Sequence, residues 1–276
     1  MKITIRKASY AYEWLNGYEP KRPTLICLHG FMGSKETFAN LAQQDQVNLL
    51  ALDLLGHGQS SIYLPAYRYT MSELIKDLQL LAQQLRLTKF YLLGYSMGSR
   101  VALAWSLTYP ESIAGLIMEA GTPGIIGAEN RAKRRVHDKN WCQMLQECSL
   151  TQFVQSWQDQ ALFASQRLLP IEQQQAIFQA KSQQVSYGLA MSLQNMGTGA
   201  QMNYWSSLTT KGKFPLLYLA GQLDHKYLSL GQQVVQAWGH PQATLTIIEA
   251  AGHCTHLEQP LLFQTTVLNW LASLEK

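Results

Sequence analysis

Phe90-Tyr91-Leu92-Leu93-Gly94-Tyr95-Ser96-Met97-Gly98-Ser99-Arg100-Val101-Ala102-Leu103 is the stretch that decides the fold. Its first four residues are a continuous apolar run, as in a strand buried on both faces, and Val101 to Leu103 with Trp105 read as a helix. Between the two lies Gly94-Tyr95-Ser96-Met97-Gly98. A serine on a sharp turn from strand to helix sits at the helix N-terminus, where the amide dipoles favour developing negative charge. Glycines at 94 and 98 leave room where side chains would collide with a neighbouring strand or helix. The five-residue pattern alone is weak; its setting between strand and helix gives it meaning.

Outward from this turn, the same kind of apolar run recurs at Leu25 to Leu28, Val47 to Leu52, Ile113 to Met118 and Leu216 to Leu219, and Met1 to Ile5 alternates like a short strand. Amphipathic segments separate them, such as Met71 to Leu85 with Leu74, Leu78, Leu81 and Leu85 at helical spacing. Alternating strand and helix signals predict an α/β class: a mostly parallel central sheet flanked by helices. The alternation stops after about Gly121. From there to about Leu208 no strand candidate appears, and the segment is rich in Gln, Trp and Met with helical periodicity. A core of residues 1–121 and 209–276 with a helical cap at 122–208 is expected, the cap lying over the sheet edge where open α/β sheets bind ligands.

The 276 residues, 47% apolar and 14% charged, suit a soluble enzyme with a large core. A net charge of +4, partly from Arg131-Ala132-Lys133-Arg134-Arg135, is too mild and too local for a nucleic-acid-binding surface. No apolar run approaches the roughly 20 residues that span a bilayer, and because Met1 to Ile5 already reads as a strand no signal peptide is expected. Four cysteines (Cys27, Cys142, Cys148, Cys254) without Cys-x-x-Cys spacing read as reduced, partly buried residues. The expectation is a cytoplasmic enzyme, a monomer or weak dimer acting on a small molecule without a cofactor.

A serine hydroxyl needs a histidine to take its proton and a carboxylate to fix the histidine. Around such a turn the chain order is serine, acid, histidine. Asp224 closes Ala220-Gly221-Gln222-Leu223-Asp224, and His253 follows the run Leu245 to Ile248, so both fall just past strand ends. Ser96, Asp224 and His253 are the candidate triad, with Asp53 as the competing acid. His29-Gly30-Phe31, directly after another strand, offers a second oxyanion donor, so the candidate hole is the backbone N–H of Phe31 and of Met97. His29 and His57 read as loop-bracing residues. His256 and Cys254 beside His253 lack a partner ligand at suitable spacing, so no metal site is expected.

Arg100 stands where a helix N-terminus disfavours cations, which points to an anionic partner, a structural carboxylate being the alternative. Arg131, Arg134 and Arg135 share a helical face and could together grip several carboxylates, although such runs usually face solvent.

The chain resembles the 2-succinyl-6-hydroxy-2,4-cyclohexadiene-1-carboxylate synthase family of menaquinone biosynthesis, within the α/β-hydrolase superfamily. The resemblance covers essentially the whole chain. Its core motifs are His29 to Ser34, Gly94 to Arg100, Glu119 to Gly124, Asp224 to Tyr227 and Ala251 to His253. The discriminating motifs lie in the cap: Arg134-Arg135, Phe153 to Trp157, Leu162 to Ser165, Gly197 to Gly199 and Trp205. The resemblance implies a carbon–oxygen lyase that removes pyruvate, with Ser96 as a base rather than an acyl acceptor. It also implies that Arg100 and Arg134 bind the carboxylates of a tricarboxylate substrate, while Tyr95 and Trp157 shape the pocket. Two departures stand out. Ser99 replaces a glycine and is expected on a helix surface, and Lys181 stands where the family has a substrate-binding arginine, keeping the charge but losing the bidentate fork. A carboxylesterase or carbon–carbon hydrolase is the rival reading. A catalytically dead ligand sensor would need a broken triad.

Overall fold

The computed structural model describes residues 1–274. Eight strands form one sheet: β1 (Lys2–Ile5), β2 (Ala8–Trp14), β3 (Thr24–Leu28), β4 (Asn48–Leu52), β5 (Phe90–Tyr95), β6 (Ile113–Glu119), β7 (Leu216–Gly221) and β8 (Ala243–Ile248). Their order is β1-β2-β4-β3-β5-β6-β7-β8. β1 and β2 run antiparallel, and all pairings from β4 to β8 are parallel. The mostly parallel sheet expected from the apolar runs is therefore present. The sequence reading missed β2, which joins β1 through Arg6 and Lys7 at φ 45° and 66°, residue types that do not announce a tight turn.

The strands alternate between two cores. Ile26, Leu28, Leu50, Leu52, Leu92, Leu116 and Leu216 point into one apolar layer, and Leu25, Cys27, Leu49, Ala51, Leu93, Ile117 and Leu217 into the other. Period-two alternation with both faces apolar is what a parallel sheet covered by helices requires. The first layer is closed by α1 (Met71–Gln84) and α2 (Met97–Thr108), through residues such as Leu78 and Trp105.

Between β6 and β7 the described residues form no strand. They hold α3 (Ala128–Glu147), α4 (Leu150–Gln158), a 3₁₀ segment at Ala161–Leu168, α5 (Ile171–Ser182), α6 (Ser186–Met196) and α7 (Trp205–Lys211). Met32, Leu145, Phe153, Val154, Leu189 and Ala190 give this insertion a small core of its own over the loop after β3. A seam at residues 208/209 falls inside α7, whose fully buried Leu208 joins the sheet's first apolar layer. We therefore propose that the core resumes at Trp205. After β7 come α8 (His225–Ala237), then α9 (Thr255–Glu258) and α10 (Pro260–Leu274) following β8; Phe263, Val267 and Leu271 of α10 close the second layer. No described helix is long and apolar enough to cross a membrane.

Candidate active site

The turn at Ser96 has φ 50° and ψ −103°, a left-handed conformation unfavourable for a non-glycine residue. It is held because β5 and α2 pack backbone against backbone. A Cβ on Gly98 would lie 2.0 Å from the Leu28 carbonyl oxygen, with no flexible side chain able to yield. Gly98→Ala should therefore cost at least about 3 kcal/mol, above the usual overpacking range. An unchanged urea midpoint would show that the elbow relaxes freely.

Ser96 Oγ lies 3.1 Å from His253 Nε2, and His253 Nδ1 lies 2.7 Å from Asp224 Oδ2. Asp224 caps α8, its other carboxylate oxygen accepting from the Tyr227 N–H at 3.2 Å. His253 is 1% exposed, and the rings of Tyr95, Phe163 and Tyr227 pack within 4.7–5.9 Å of its own. Two carboxylates hold its backbone. Glu258 accepts from the N–H of Gly252 at 2.6 Å and of Cys254 at 3.2 Å. Glu119, buried at the end of β6, accepts from Thr255 Oγ1, His256 N and His256 Nδ1 at 2.6–3.0 Å. Asp53 is remote from this relay: its carboxylate accepts from the N–H of Lys35 and of Gln59.

Met97 is the first residue of α2, so its N–H has no partner within the helix. Among the described residues no acceptor holds the Phe31 N–H. The Phe31 loop is braced by two neutral histidines. Leu54 N–H donates to His29 Nε2 at 3.0 Å, and His29 Nδ1–H donates to the Gly30 carbonyl at 2.7 Å. The His57 ring packs against both His29 and Phe31, and its buried Nε2 has no partner among the described residues. Burial lowers the pKa of both, His57 to about 3 with a further push from His29. Above pH 6.5, the ordinary value, folded and unfolded chains both hold His57 neutral. As pH falls towards 3 only the unfolded chain takes the proton, so stability is lost at about 1.4 kcal/mol per pH unit. His57→Gln should flatten the fall of Tm between about pH 6 and pH 4. Equal slopes would contradict that origin of the acid sensitivity.

Ser96 opens on a cavity of about 500 Å³ between the sheet edge and the insertion. Among the described residues four cations line it, Arg100, Arg134, Lys181 and Lys226, against one carboxylate, Asp224, which is already committed to His253. Arg100 is 8% exposed, and its Nη1 donates only to neutral groups, the Met196 carbonyl at 2.7 Å and Gln201 Oε1 at 3.1 Å. Among the described residues no carboxylate pairs with Arg100, so the structural-carboxylate alternative does not hold. Burial pushes its pKa down to about 10, which leaves it charged near neutrality. Arg134 spends its Nε on Asp138 Oδ1 at 2.7 Å. Lys181 has its pKa lowered by burial, with Nζ 5.1 Å from the Phe163 ring centroid; Lys226 has its own lowered by burial and by Arg134. Tyr95 and Trp157 line the same cavity, Tyr95 pressing on Gly30 and Trp157 on the Phe31 ring at 4.9 Å.

Three expectations need correction. Arg131 and Arg135 do not line the cavity. Arg135 is rotated about 100° from Arg134 and donates to the Gly199 carbonyl, while Arg131 lies one turn nearer the start of α3. Ser99 is fully buried rather than on a helix surface, packed against Gly121 with its Oγ unpartnered among the described residues. Sequence reasoning also passed over Lys226, Tyr227, Cys254 and His256 as cavity residues. Lys226 and Tyr227 stood in the motif Asp224 to Tyr227 without a role of their own, and Cys254 and His256 were weighed only as metal ligands.

A strand–elbow–helix serine, a histidine and an acid past later strand ends, and a helical insertion over the sheet define an α/β-hydrolase-fold enzyme. The alpha/beta hydrolase fold family model matches residues 23–260, and the chain belongs to that family. A 2-succinyl-6-hydroxy-2,4-cyclohexadiene-1-carboxylate synthase of Salmonella paratyphi C (strain RKS4594) is 33% identical over 88% of this chain and 91% of its own. A Bacillus subtilis (strain 168) protein provisionally given the same name is 35% identical over 91% of this chain and 90% of its own. The structure of MenH from S. aureus superposes with a TM-score of 0.88 at 30% identity, covering 97% of this chain and 99% of that one. A thermophilic esterase from Thermogutta terrifontis, with a TM-score of 0.85 at 22% identity over 100% and 99% of the two chains, shares the fold alone. Within its class the chain therefore belongs to the 2-succinyl-6-hydroxy-2,4-cyclohexadiene-1-carboxylate synthase family, lyases of menaquinone biosynthesis.

Proposed function

We propose that the enzyme eliminates pyruvate from 2-succinyl-5-enolpyruvyl-6-hydroxy-3-cyclohexene-1-carboxylate to give 2-succinyl-6-hydroxy-2,4-cyclohexadiene-1-carboxylate, with Ser96 as the base. His253 Nε2 takes the Ser96 proton, and Asp224 holds the opposite N–H and steadies the imidazolium that forms. The serine oxygen removes a ring proton, and negative charge spreads onto the adjoining carbonyl. The N–H groups of Phe31 and Met97 receive that charge. The ring C–O bond breaks, a ring double bond forms, and the departing enolpyruvyl group takes a proton relayed through His253 and leaves as pyruvate. Arg100, Arg134 and Lys181 meet the substrate carboxylates.

The observation that carries this reading is the charge of the cavity, where Arg100, Lys181 and Lys226 have no carboxylate partner among the described residues and Arg134 keeps only Asp138. A buried cation such as Arg100 without a counter-ion is costly and persists where an anionic ligand completes it. A substrate with three carboxylates does so; a simple neutral ester does not. The test is a coupled pyruvate assay with the enolpyruvyl substrate, run beside neutral aryl esters. Pyruvate release with little neutral-ester turnover is expected. Brisk ester turnover without pyruvate would make the enzyme a carboxylesterase instead.

A further inference from the structure

We infer that the same site carries a second activity, hydrolysis of small esters that bear a carboxylate. The inference rests on the Ser96–His253–Asp224 geometry that also underlies the proposed function. Nothing in that geometry reserves Ser96 for carbon acids. Its oxygen stands 3.1 Å from an unencumbered histidine nitrogen, itself oriented by a carboxylate at 2.7 Å, which is the arrangement acyl transfer requires. Ser96 is partly exposed to a cavity of about 500 Å³, ample for a small aryl ester. The N–H groups of Phe31 and Met97 suit the oxyanion of a tetrahedral intermediate as well as they suit an enolate.

What the cavity selects is charge. A neutral ester would leave Arg100, Lys181 and Lys226 without a counter-ion, while Arg134 keeps Asp138. An ester carrying a carboxylate pairs with them and gains charge-assisted hydrogen bonds in a desolvated space. In the first half-reaction Ser96 Oγ attacks the ester carbonyl while His253 takes its proton. The carbonyl–oxygen bond then breaks, and the leaving phenol takes the proton from His253. In the second, water attacks the acyl-serine through the same histidine, restoring Ser96 and releasing the acid. No oxidant, reductant or metal is needed.

The probe pair is 3-acetoxybenzoate and phenyl acetate. Both deliver the same acetyl group, and they differ in one meta carboxylate, too distant for intramolecular catalysis. At low salt kcat/KM should favour 3-acetoxybenzoate by roughly 10-fold to 100-fold. The preference should shrink as sodium chloride is added, and Arg100→Met, which removes the buried unpaired cation, should bring it to within about 3-fold. An acetyl adduct on the Ser96 peptide after acid quench, absent in Ser96→Ala, would place the chemistry on this serine. Ester turnover that survives Ser96→Ala overturns the inference, and so does a ratio near one. Pyruvate release from the enolpyruvyl substrate with no ester turnover overturns it too, while leaving the lyase reading standing. Anion-selective ester turnover without pyruvate sustains it and overturns the lyase reading instead.

Discussion

Ser96→Ala is expected to lower kcat for pyruvate release by about 10²–10⁴, the range that removal of a general base produces. The figure separates two mechanisms. If Ser96 formed a covalent intermediate on the route to pyruvate, its removal would cost on the order of 10⁶, as deletion of a hydrolase nucleophile does. A base can be bypassed in part, because His253 and the four cations stay in place in the variant and water can enter the space left by the hydroxyl. KM should change little, since alanine removes no charge that binds substrate. A loss near 10⁶, or a serine-linked intermediate trapped during pyruvate release, would displace the base mechanism.

Arg100→Met should cut kcat/KM for pyruvate release by roughly 100-fold while changing Tm little. The activity loss follows from removing a charge-assisted hydrogen bond to a substrate carboxylate in a desolvated cavity. Stability is set by opposing terms of similar size. Lowering the Arg100 pKa from 12.5 to about 10 corresponds to about 3 kcal/mol held against folding. Leaving the Met196 carbonyl and the buried Gln201 Oε1 without their donor costs about 1–3 kcal/mol each. The two roughly cancel, so a large loss of activity with little change in Tm marks a side chain kept for function. A variant that melts several degrees lower with activity intact would make Arg100 a bolt between α2 and α6 and nothing more.

How far the sequence revealed this site depended on how local each residue's surroundings are. Ser96 was legible because its neighbours in sequence, Gly94 and Gly98, are also the residues whose missing side chains let β5 and α2 approach. Asp224 and His253 were legible because a parallel sheet gathers strand ends on one edge, so chain position stands in for spatial position. The parallel strands showed in their apolar runs because both faces are covered. β2 pairs on both sides but has one strand partner in each direction antiparallel, and its mixed pattern of Tyr, Glu and Trp hid it. Ser99 went wrong for a different reason. A helix residue's surroundings are set by what packs over it, and Gly121 arrives from another strand end. Arg131 and Arg135 failed likewise, because helical spacing fixes relative direction but not which direction faces the cavity. Lys226 and Tyr227 were hidden by their proximity to Asp224, whose role drew the reading.

The excess of cations over carboxylates in the cavity lining also bears on what would follow the proposed bond cleavage. The proposed elimination would divide a trianion into a dianion and a monoanion, while the lining of the cavity keeps its positive charge. Pyruvate would depart held by a single carboxylate, and the cyclohexadiene product would keep two where the substrate had three. Each fragment is gripped less firmly than the whole, so the electrostatics that draw substrate in do not trap what leaves. The cavity is in effect a ratchet in charge, loading tightly and unloading in two looser parts.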